Sequence, residues 1–178
     1  MRGMTTTKKV ANEVTRRSLW PRSGKAKWDR QPTQSSAVLI ATVGIPVPPT
    51  VIRRAMELSR GRPVAVISIA RIYGSSLGLP NPGLLPTRKE MDEQRALVAK
   101  AIDELEQSGL EAWGQVAATR RYARTIAQAA QARGVEHVLV VAPKVPTWRR
   151  FVEGDTARDV RRRLRHTREE VPVESIAV

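Results

Sequence analysis

Val38-Leu39-Ile40-Ala41-Thr42-Val43-Gly44 is the stretch on which the fold turns. It is apolar or β-branched up to its closing glycine and carries no charge. A strand with one wet face alternates apolar and polar residues, and this one does not. Both faces must be buried, as in a strand inside a parallel sheet. Two further stretches read the same way: Pro63 to Ala70 (Pro-Val-Ala-Val-Ile-Ser-Ile-Ala) and His137 to Ala142 (His-Val-Leu-Val-Val-Ala).

The segments between them are helical or loop-like. Pro46, Pro48 and Pro49 break the chain after the first strand, and Thr50 is expected to N-cap a helix running to Ser59 with Gly61 as its stop. Residues 71–86 are rich in Gly and Pro and read as a loop. Thr87-Arg88-Lys89-Glu90 spells a capping box, in which a hydroxyl and a carboxylate each satisfy an orphan backbone N–H. Behind it Met91, Arg95, Val98, Ile102 and Leu105 recur at helical spacing up to Gly109. Glu111 to Ala118 is the weakest strand, interrupted by Gly114. Tyr122, Ile126, Ala129, Ala130 and Arg133 mark a helix closed by Gly134. After a loop at 143–153, Ala157, Val160 and Leu164 give one face of a last helix, and Val171 to Val178 forms a final strand. Such alternation predicts an α/β fold: a five-stranded parallel sheet, strand order 3-2-1-4-5, with helices on both faces.

The chain of 178 residues divides by charge as well as by texture. Residues 1–36 hold nine Lys or Arg against two acids, with Pro, Gly, Gln and Ser beyond Leu19. They read as a basic N-terminal extension, expected to be disordered, ahead of a domain at 37–178. No apolar run approaches the roughly 18–20 residues of a membrane span, and no apolar segment follows the N-terminal bases. A soluble cytoplasmic protein without a membrane partner is expected. Cys is absent, which excludes disulfides, thiolate nucleophiles and Cys-ligated metals. His137 and His166 are the only histidines, far apart in sequence, and no metal site is expected.

The order of elements, the opening "VLIATVG", the capped helix after a variable loop, "GVEHVLVVAP" and "GDTARDVRRRL…VPVESIAV" resemble the universal stress protein family over about residues 37–178. The resemblance implies a glycine-rich loop after the fourth strand that cradles ATP phosphates at the last helix, and an Asp at the end of strand one. It places nucleotide-binding positions at Gly44, Ala142, Val145, Gly154, Asp155 and Thr156. The motif is degenerate. Ala142 and Val145 stand where glycines are expected, Asp155 stands where a hydroxyl is expected, and Val43 replaces the Asp. Pro143 removes a backbone donor, and Asp155 sets a negative charge beside any phosphate. No cofactor is therefore expected, with ATP the one candidate. The family also implies a homodimer through the C-terminal strand.

Two basic regions flank the nearly balanced core. Residues 144–168 hold nine Lys or Arg against three acids. Lys144, Trp148, Arg149 and Arg150, followed by Phe151, interleave guanidinium groups with rings, as single-strand and RNA binding require. The other reading tucks a ring under the domain and leaves the arginines solvated. Arg158, Arg162 and Arg165 lie on one side of the last helix, opposite its apolar stripe, and Arg161 widens that face. Lys25, Lys27 and Trp28 repeat the pattern in the extension. No Gly-x-Ser-x-Gly elbow or activated serine occurs, so neither catalytic residues nor an enzymatic activity is expected. The leading expectation is a non-catalytic binding or regulatory protein that has lost canonical ATP binding. One alternative is an RNA- or ribosome-associated protein, or one that binds another polyanion. A further alternative is an ATP- or cyclic-nucleotide-binding stress protein.

Overall fold

The strand read first lies at the centre of the sheet. The computed structural model describes residues 35–71, 85–142, 156–165 and 171–177. In it β1 (Val38–Thr42) is buried at every position and pairs in parallel with β2 (Val64–Arg71) and β4 (His137–Ala142). β3 (Ala112–Thr119) pairs beyond β2, and β5 (Val173–Ala177) beyond β4. The order is 3-2-1-4-5, as the alternation predicts.

Four helices are described: α1 (Pro49–Ser59), α2 (Arg88–Gln107), α3 (Tyr122–Ala132) and α4 (Thr156–Leu164). Residue parity in the strands assigns them to faces, because successive strand side chains point to opposite sides. Val38, Ile40, Val64, Val66, Leu139 and Val141 meet α1 and α2. Leu39, Ala41, Ala65, Ile67, Val138 and Val140 meet α3 and α4. The stripe Ala157, Val160 and Leu164 is buried as its spacing predicts.

Helix starts follow local chemistry, with one correction. Thr50 does not cap α1. Pro48 is the N-cap and Pro49 occupies the first helical position, where its fixed φ suits the helix and its missing N–H costs nothing. The α1 C-cap is Arg60 in the left-handed region (φ 52°), one residue before the expected stop at Gly61. The capping box of α2 is present: the Glu90 N–H donates to Thr87 Oγ1 at 3.2 Å, and the Thr87 N–H to Glu90 Oε2 at 2.6 Å. The backbone bond and then the Thr87 hydroxyl hold the Glu90 carboxyl below its ordinary range.

Gly114 is a contact rather than an interruption. A Cβ there would sit 2.3 Å from Val98 Cγ1 and 3.0 Å from the Val66 carbonyl oxygen, so only glycine lets α2 lie this close to β3. Polar ties close the ends of the sheet. Arg62 clamps Glu136 with both terminal nitrogens, and Arg54 grips Glu174 on β5 through Nε and a terminal nitrogen at 3.0 and 2.7 Å. Trp113 donates its indole N–H to Ser36 at 2.9 Å, with the Arg133 guanidinium 4.2 Å from its ring centre. Burial of Arg133 pushes its affinity for the proton down.

Candidate functional site: the β1–β4 junction

In an open parallel sheet ligands bind outside the carboxyl ends of the strands, where the connections diverge to opposite faces. That point here lies between β1 and β4. β1 leads to α1 on one face, and the chain after β4 returns through α4 on the other. Thr42 and Val141 are in register, so Val43 and Ala142 follow them side by side at the mouth of the junction.

The β1 turn is fixed by its own polar bonds. Thr42 is 1% exposed, and its hydroxyl donates to the Ile45 carbonyl at 2.5 Å. Between them Gly44 takes φ 69°, a conformation that admits glycine freely and strains other residues. Val43 is half-buried and packs on the core under α3 and α4. Where the resemblance implies a carboxylate aimed at a ligand, an apolar side chain is spent on packing.

The opposite wall is neutral and internally paired. Ser68 on β2, in register with Thr42, is fully buried and donates its hydroxyl to Gln94 Oε1 at 2.5 Å. The Gln94 Nε2 lies 3.3 Å from where a Gly44 Cβ would stand. Ser68 and Gln94 therefore line the floor beside Gly44, and sequence reasoning did not single them out. The signal was present: a lone hydroxyl in an apolar strand, and an amide on the stripe that runs from Met91 to Val98.

Of the other positions implied by the resemblance, Ala142 is half-buried at the end of β4 and Thr156 opens α4. Val145, Gly154 and Asp155 lie outside the described residues, as do Pro143, Lys25, Lys27, Trp28, Lys144, Trp148, Arg149, Arg150 and Phe151. Arg158, Arg161, Arg162 and Arg165 are exposed on and just after α4. Arg161 also donates to the Val173 carbonyl at 2.7 Å, tying the helix to the edge strand. Among the described residues no three acidic or histidine side chains gather to hold a metal ion. No described helix is long and apolar enough to cross a membrane.

No family model and no curated protein matches the sequence. Solved structures do match the fold. A universal stress protein from Archaeoglobus fulgidus is 18% identical with a TM-score of 0.53, over 78% of this chain and 93% of that one. The universal stress protein from Archaeoglobus fulgidus in complex with dAMP gives 19% identity and a TM-score of 0.51, over 78% and 97%. A universal stress protein in complex with cAMP gives 11% and 0.53, over 81% and 98%. A parallel sheet ordered 3-2-1-4-5 that superposes on nearly the full length of these proteins identifies the chain as having the universal stress protein fold.

Proposed function

We propose that the chain is a non-catalytic binding and regulatory protein in which the adenine-nucleotide crevice of this fold is degenerate. The carrying observation is the β1–β4 junction itself: Val43, half-buried, packs against the core where a carboxylate would reach a ligand, and the buried Ser68 hydroxyl is already bonded to Gln94 Oε1. A nucleotide there would meet no described carboxylate, and the end of β4 offers Ala142 in place of glycine. Buried polar groups already paired lose rather than gain hydrogen bonds when displaced. Calorimetric titration of the full chain with Mg·ATP and with cAMP tests this, and no micromolar binding is expected. Micromolar binding abolished by Gly154→Trp would overturn it.

A second reading, adenine-nucleotide binding through a rearranged loop, draws on the neighbours with bound dAMP and cAMP. The same titration separates the two. For assembly, we read β5 as the pairing edge of a homodimer. It is the outer strand beyond β4, and Ser175 and Ala177 are exposed on it.

A further inference from the structure

The two helical layers differ in charge. α1 and α2 together hold six basic residues and seven acids. Several of these pair on the surface: Arg54 with Glu57, Arg95 with Asp92, and Lys100 with Glu104. The other layer is one-signed. Residues 120–133 and 156–165 hold nine arginines, no lysine and one acid, Asp159. The fold makes these separate segments neighbours, because α3 and α4 pack side by side on one face of the sheet. Arg120, Arg121 and Arg124 stand exposed at the start of α3, and Arg158, Arg161, Arg162, Arg163 and Arg165 along α4. Among the described residues no carboxylate pairs with Arg120, Arg121, Arg124, Arg162 or Arg163.

We propose that this α3/α4 layer docks on double-stranded RNA through its phosphates and 2′-hydroxyls. The inference names a partner for the binding protein proposed above, and its test fails or succeeds independently of the nucleotide titration. Guanidinium forks match phosphate oxygens in a way lysine does not, and the layer is built from arginine alone. A protein partner would need an apolar or aromatic anchor at the centre of the surface. The exposed large apolar residues of the described chain are Met56 and Leu85, neither of them in this layer. Protein–nucleic acid interfaces are instead polar and positively charged.

Shape selects the duplex. Single strands bind by stacking on exposed rings, and among the described residues the rings are Trp113, 3% exposed, and Tyr122, half-buried. Both helices lie flat with their apolar stripes committed to the core, so neither is free to enter the ~12 Å major groove of B-form DNA. The wide, shallow minor groove of A-form RNA presents phosphates and 2′-hydroxyls to a flat surface.

The test is fluorescence anisotropy of the full chain with an RNA duplex of roughly 20 base pairs, the same sequence as DNA duplex, and each single strand. Three double variants are compared. Arg121→Ala with Arg124→Ala removes two charges from the α3 side, Arg162→Ala with Arg165→Ala removes two from the α4 side, and Arg53→Ala with Arg88→Ala removes equal charge from the opposite layer. All six side chains are exposed, so folding should survive. The α3 and α4 variants should each weaken RNA binding about tenfold and reduce the slope of log affinity against log salt by about 1–2. The opposite-layer variant should change affinity less than about twofold. Equal loss in all three variants reduces the effect to net charge and overturns the proposal. DNA or single strands bound as tightly as duplex RNA overturn it too. Equal displacement of RNA by polyglutamate assigns the layer to an acidic protein instead.

Discussion

A methyl group at position 114 would collide with Val98 and crowd the Val66 carbonyl and Ile102, and the packing of α2 on the sheet rests on its absence. Gly114→Ala is therefore expected to destabilise the fold by about 1–3 kcal/mol, the range for overpacking a closed core, read as a lower urea midpoint at unchanged slope. Val98→Ala removes the atom that clashes, so the double variant should cost less than the sum of the two singles. In the sequence Gly114 looks like a break in a weak strand, because close approach depends on a partner 16 positions away that no local pattern reveals. The β1–β4 junction was legible to the same degree. Gly44, Val43 and Ala142 can be placed by their strands, and the side chains on which the proposed loss of nucleotide binding rests are read directly from their identity. Ser68 and Gln94 meet only in three dimensions, 26 residues apart.

At the scale of elements the alternation of apolar strands and capped helices carried the fold, and all nine described elements lie where it puts them to within about two residues. The exception in kind was the start of α1, where two prolines outweigh the neighbouring threonine as a helix signal. The clearest test at this scale is on β5. The hydrogen-bonded Arg54 guanidinium holds the Glu174 carboxyl below its ordinary range, and Glu174 in turn raises that of Arg54. In the unfolded chain a Glu titrates near ~4.3. The clamp thus contributes stability that is present above about that pH and is lost as pH falls through the lower folded value. Both side chains are 40% exposed, so solvent screening keeps the contribution small. Glu174→Gln should make stability fall less steeply on acidification below about pH 4.5, measured by urea unfolding at successive pH values. A residual slope remains, because Arg62 lowers Glu136 and the capping box lowers Glu90. An unchanged slope would mean that the clamp does not persist in solution. Thr87→Ala removes the hydroxyl of the box at the other end of the fold and should cost about 1 kcal/mol.

For the whole molecule, the edge of β5, the outer strand among the described residues, and the basic α3/α4 layer make one geometric prediction together. Suppose two copies pair antiparallel along β5. The two-fold axis then stands perpendicular to the sheet, since that operation reverses strand direction and leaves each face where it was. The α3/α4 layers of both copies consequently face the same side and form one continuous basic plate. A duplex lying across it would touch both copies, and the second contact is made at the high effective concentration of a tethered site. Ser175→Lys with Ala177→Lys tests the coupling. Both side chains are exposed on β5, so the fold should stand, while lysines along an edge strand oppose each other across the axis and block pairing. Light scattering should report a dimer for the wild type and a monomer for this variant. Duplex RNA affinity should fall about tenfold and the salt slope should become shallower, as contacts from the second copy are lost. The choice of lysine makes the result unambiguous in sign: the variant gains positive charge, which by itself strengthens RNA binding. A dimer-breaking variant that binds RNA more tightly would show the layers acting separately. A wild-type chain that stays monomeric at high concentration removes β5 pairing altogether.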